Sequence, residues 1–95
     1  MSKEYWVYII TNKRRTTIYT GVTNDIRKRV ADHRRGEGGE FSAKYNLQHL
    51  VYYERFVDIH RAIAREKRLK SWSRAWKDEL IMQDNPEWAD LAAGW

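Results

Sequence analysis

The chain has 95 residues, 42% of them hydrophobic and 14% aromatic, and no cysteine. That length fits one domain with a packed core and excludes a disulfide framework, a zinc–thiolate site and a disordered tail. The formal net charge of +5 is unevenly spread: residues 1–83 carry all 18 Lys and Arg and 10 of the 13 acids, a balance of +8, whereas 84–95 carry Asp84, Glu87 and Asp90 and no base.

A basic body favours a polyanionic partner, although solubility alone accounts for the charge of many small domains. The first residues run into a strand-like segment without the features of a signal peptide, and no apolar run approaches the ~18 residues of a membrane span. The expected location is cytoplasmic, with no membrane partner.

Tyr5–Thr11 (YWVYIIT) is aromatic and β-branched on both faces, the pattern of a strand covered on both sides. Asn12–Thr16 is a polar turn, and Thr17–Val22 (TIYTGV) is a second strand, so the two form an antiparallel hairpin. Gly21 within it predicts a close approach of backbone or ligand. Thr23 or Asn24 caps a helix with Ile26 and Val30 as its apolar stripe, ending at Gly36. Gly36–Asn46 reads as a polar loop and Leu50–Phe56 as a third strand. Asp58 caps a second helix to about Lys70, with Ile59, Ala62, Ile63 and Leu69 inward. Trp72, Trp76 and Leu80 continue a helical stripe to about Gln83, packed on the second helix. Asn85-Pro86 stops it, because the residue before proline avoids the α region. Glu87–Trp95 forms a last apolar turn. The order ββαβαα predicts an α/β (α+β) sandwich, a three-stranded sheet flanked by helices. It is a single domain over 1–95, with the core at about 4–84 and a C-terminal tail over 85–95.

Glu66 falls on the apolar stripe of the second helix, between Ile63 and Leu69. A carboxylate there is a metal ligand or acid/base residue, or else a stripe-edge glutamate paired to Arg65, Arg68 or Lys70. Arg29 and His33, four apart, share a helix face and suit phosphate clamping and proton transfer; a solvated basic face is the alternative. Tyr8 and Tyr19 sit near the middle of paired strands, where core packing competes with a role as base. His49 and His60 make no metal pattern with each other.

Together these segments resemble the GIY-YIG nuclease superfamily. Val7-Tyr8-Ile9 and Tyr19-Thr20-Gly21 resemble the paired GIY and YIG motifs. GVTNDIRKRVADH (Gly21–His33) resembles the strand-to-helix segment with its arginine, REKRLKSW (Arg65–Trp72) the helix with the metal-binding glutamate, and Asn85 a late asparagine. The likeness is greatest to small stand-alone bacterial members and extends to the N-terminal domain of the excision-repair endonuclease. It implies a three-stranded antiparallel sheet flanked by helices. It also implies hydrolysis of a DNA phosphodiester, in repair or recombination, with one Mg²⁺ or Mn²⁺ ion bound weakly without DNA. By resemblance Glu66 holds the metal, Tyr8 and Tyr19 position or deprotonate water, Arg29 steadies the scissile phosphate, His33 assists proton transfer or holds the phosphate, and Asn85 supports the site. Both tyrosine rings are expected toward the first helix, on the same sheet face as Glu66. The first motif reads VYI and the second YTG. His33 stands where the repair nucleases carry another tyrosine, and Val22 where they often carry lysine.

The expected function is a metal-dependent DNA endonuclease, with specificity supplied by a protein partner or a second copy. The alternative is a nucleic-acid-binding module on the same fold with little or no cleavage. A protein-interaction domain using the C-terminal tryptophans ranks third.

Overall fold

The computed structural model describes residues 3–95. Strands β1 (Tyr5–Thr11), β2 (Ile18–Thr23) and β3 (His49–Phe56) form one antiparallel sheet in the order β2-β1-β3. The central position of β1 explains its apolar residues on both faces, since neither face meets water. Tyr8, Ile10 and Leu50 pack with Ile26 and Val30 of helix α1 (Ile26–Arg34). On the other face Val7 packs with Ala62 and Leu69 of α3 (Ile59–Ser71), and Ile9 with Ile81 of α4 (Arg74–Asp84). The result is the expected sheet flanked by helices.

The caps follow side-chain chemistry. The Asp25 carboxylate, rather than Thr23 or Asn24, accepts the Lys28 amide at the start of α1. Asp58 caps α3 as expected, and Ser73 accepts the Trp76 amide to open α4. The segment expected as a loop contains one more helix, α2 (Glu40–Tyr45), held between Gly39 at φ 113° and Asn46 at φ 56°. The order is therefore ββααβαα. Six residues are too few for a periodicity to show, although Glu40 and Lys44 already suit the helix dipole.

Two inward assignments are corrected. Ile59 is exposed at the first turn of α3, where the stripe narrows to Ala62 and Leu69. Trp76 is 60% exposed and touches Trp72 edge-on at 5.8 Å, because α4 turns Ile81 and not Trp76 to the sheet.

The β1–β3 register shifts at Ile9/Ile10, which face Tyr52 and Leu50 and leave Val51 unpaired opposite them. This bulge puts Val51 and Tyr52 in the same cluster. The Val51 carbonyl accepts from Asn85 Nδ2 at 3.1 Å, and the same amide exchanges bonds with Ala89 at 2.8 and 2.9 Å. Residues 85–95 are tied in further. The Leu91 amide bonds the Leu50 carbonyl at 2.7 Å, Asp90 accepts from the Leu50 and Ala92 amides and pairs with Arg34 at 2.9 Å, and Ala92 is fully buried.

Candidate active site

Tyr8 lies mid-way along β1, directly across from Gly21 of β2. A Cβ at Gly21 would stand 2.6 Å from both the ring Cζ and the hydroxyl of Tyr8, and 2.9 Å from the Tyr19 ring. The close approach expected at Gly21 is therefore filled by the protein's own phenol, which crosses residue 21 toward the edge strand. Its hydroxyl meets His33 Nε2 at 3.0 Å, and His33 Nδ1 meets Ser42 Oγ of α2 at 2.5 Å. Gly38 leaves room for the imidazole, since a Cβ there would collide with Nδ1. Ser42 donates to the Leu47 carbonyl, a group that only accepts. Followed back from that end, His33 donates through Nδ1–H and Tyr8 donates to Nε2.

Burial raises the Tyr8 pKa well above the usual tyrosine value; Tyr19 and Glu66 add to the rise and Arg29 opposes it. Burial, followed by Arg29, lowers the pKa of His33, against a weaker pull from Asp32. Both groups are therefore neutral near pH 7.

Tyr19 stands beside this buried pair, and the charges of Arg29 and Glu66 bear on it. The Tyr19 ring lies 6.3 Å from Tyr8 and 6.0 Å from His33, and its hydroxyl has no hydrogen-bond partner among the described residues. The charge of Arg29 on α1 bears on Tyr8, His33 and Asp32, and Arg29 makes no ion pair or side-chain hydrogen bond among the described residues. Both tyrosine rings lie on the α1 face, as expected. Helix α3 covers the opposite face, which corrects the expectation that Glu66 would share a face with the tyrosines; its charge still bears on Tyr8 from there. Its side chain is 14% exposed and pairs with Lys70 at 3.0 Å, while Lys70 Nζ stands 5.6 Å from the Tyr19 ring centroid. Val22 packs under α3 with Ala62 and Leu69. A cation thus stands at the edge of the tyrosine pair even with valine at that position, and it comes from α3.

The Glu66–Lys70 pair joins adjacent turns of one helix and has a half-exposed partner, so it holds Glu66 by only ~0.3–0.5 kcal/mol. Among the described residues no three of His, Asp or Glu gather as a metal cage. One carboxylate with Oε1 free of any hydrogen bond among those residues fits a hard cation whose remaining ligands are water and phosphate oxygen.

Asn85 is not brought to this cluster. It sits behind the sheet at the end of α4, with its amide occupied by Val51 and Ala89. Sequence reasoning missed Ser42 and Lys70. Ser42 gives no periodic signal inside a glycine-rich stretch, whereas the four-residue spacing from Glu66 did name Lys70 as a salt-bridge partner, though not as a neighbour of Tyr19.

Residues 4–79 match the model of the GIY-YIG catalytic domain, and the chain belongs to the GIY-YIG family of nucleases. Its relatives include the UPF0213 proteins of Natronomonas pharaonis, 36% identical over 84 residues (88% of this chain and 98% of that one), and Staphylococcus saprophyticus, 36% identical over 83 residues (87% and 99%). The solution structure of the UPF0213 protein from Bacillus halodurans superposes with a TM-score of 0.59 at 26% identity, covering 92% of each chain.

Proposed function

We propose that this chain is a divalent-metal-dependent endonuclease that hydrolyses DNA phosphodiester bonds. The observation that carries the reading is that four elements bring their side chains to bear on Tyr8: β2 through Tyr19, α1 through Arg29 and His33, α3 through Glu66, and β1 through Tyr8 itself. Glu66 would hold the cation, which when bound polarises the phosphate and neutralises developing charge. Arg29, without an ion pair among the described residues, would clamp the scissile phosphate. Tyr19 presents its unpaired hydroxyl to the attacking water. Tyr8 and His33, both neutral at rest, would serve as a relay: the proton lost by water passes to the Tyr8 oxygen as Tyr8's own proton passes to His33 Nε2, and the resulting imidazolium, disfavoured by burial, returns its proton along the same path to solvent once product leaves. Ser42 and Gly38 fix the imidazole for that transfer, and Asn85, held behind the sheet by Val51 and Ala89, serves the fold and takes no part in it. The domain would act in cytoplasmic DNA repair or recombination, with a protein partner or a second copy sharpening specificity.

The binding-module reading draws on the Lys70 ammonium already paired to Glu66. Arg29→Ala separates the two. Incubation with branched, nicked and plain DNA in Mg²⁺ or Mn²⁺ should show cleavage by the wild type. The variant should lose roughly a hundredfold in rate, in the range of other positioned electrostatic groups, and less than about threefold in affinity. Equal losses in both, or no cleavage of any substrate, would contradict the enzyme reading.

A further inference from the structure

The rings of the site continue outward onto α2. From buried His33 the file runs to Tyr19 at 6.0 Å, Phe41 at 6.4 Å and then Tyr45 at 4.9 Å. Phe41 and Tyr45 are 48% and 39% exposed, one helical turn apart. Water should not hold two large rings side by side at the mouth of a polar site without some return. The inner side of α2 is fixed: Ser42 is buried against His33 and Leu47 is fully buried behind it. The outer side therefore keeps its aim.

The chemistry of this face selects its ligand. Helix α2 (EFSAKY) has no Leu, Ile, Val or Met to offer an apolar protein surface. A cation accompanies its outer ring, Lys44 Nζ at 5.4 Å from the Tyr45 centroid, and the half-buried Tyr19 of β2, next in the file, has Lys70 Nζ at 5.6 Å. Flat π-faces beside ammonium groups match a base with its phosphate. Paired DNA keeps its base faces inside the stack, so the rings gain little from duplex. At 4.9 Å apart and tilted 51°, Phe41 and Tyr45 leave no space for a base between them, and a base would lie on their outward faces.

We propose that α2 is a stacking platform on which Phe41 and Tyr45 hold unpaired nucleobases next to the candidate active site, so that the preferred substrate carries single-stranded nucleotides beside the bond to be cut. The position of that bond rests on the nuclease reading; the stacking does not.

Fluorescence anisotropy in EDTA, where cleavage plays no part, tests the stacking by itself. The probes are a labelled twelve-nucleotide single strand, a duplex of equal length, and a single strand of abasic sites. Combined substitution Phe41→Ala and Tyr45→Ala should weaken single-strand binding roughly tenfold or more, as loss of base–aromatic contacts does elsewhere. It should leave duplex and abasic binding within about twofold, and Tyr45→Trp should retain wild-type affinity. Thermal melts should match, because both rings face solvent. Equal losses on single strand and duplex, abasic binding as tight as that of the normal strand, or no DNA affinity at low salt would overturn the proposal. The predicted binding pattern without cutting in Mg²⁺ or Mn²⁺ would overturn the nuclease reading alone.

Discussion

The hydroxyls of Tyr8 and Tyr19 lie on one face of the hairpin, but burial divides their work. Tyr8 is almost wholly buried beneath α1 with its hydroxyl at His33 Nε2, whereas the Tyr19 hydroxyl, on the edge strand, has no hydrogen-bond partner among the described residues. The sequence named both and could not separate them, because alternation gives the face of a side chain and not its depth. His33 was legible from its spacing to Arg29; its partner Ser42 was not. The imidazole makes a testable contribution to stability. Its folded pKa lies below the ordinary value of 6.5, so between those two values the unfolded chain binds more protons than the folded one. Its stabilising effect is complete above about pH 6.5 and declines as the pH falls through the window beneath it. The melting temperature of the wild type should therefore drop on acidification through that window, and His33→Gln, which cannot take up the proton, should show a shallower drop. Parallel profiles for the two proteins would contradict the buried neutral imidazole.

At the scale of elements, one asparagine shows what the sequence could and could not give. Asn85 was legible as the stop of α4, from Asn85-Pro86, and it resembled a late family asparagine. Its bond to the Val51 carbonyl exists because the β1–β3 ladder slips at Ile9/Ile10, and nothing in a strand's residue pattern announces a bulge. Asn85→Ala leaves the buried Val51 carbonyl and the Ala89 amide without that partner. We expect a loss of about 2–3 kcal/mol, a fall in melting temperature of roughly 10 °C or more, and an unchanged cleavage rate for the protein that remains folded. A variant that melts normally but cuts poorly would return Asn85 to the site. The strands and α1 were recoverable from periodicity, and α3 from its Asp58 cap as well, because each is long enough for apolar spacing to repeat. Helix α2 was not, and it carries both Ser42 and the exposed aromatic pair.

Over the whole molecule, the proposed function assigns binding to many charges and chemistry to one. Of the three acids at the end of the chain, Asp90 is used internally: it holds Arg34 and the amides of Leu50 and Ala92, and so fastens the last residues to β3. The basic body remains turned outward, and affinity drawn from many cations is insensitive to any one of them and steeply sensitive to salt. No described helix is long and apolar enough to cross a membrane. Cleavage, by contrast, would depend on one carboxylate, Glu66. Glu66→Gln preserves its volume and removes its charge. Because the substitution breaks only the ion pair with Lys70, the melting temperature should move by no more than about 3 °C, and DNA affinity should persist. Cleavage in Mg²⁺ or Mn²⁺, measured beside the wild type on the same DNA, should fall to background. A Glu66→Gln protein that cuts at the wild-type rate would contradict the account.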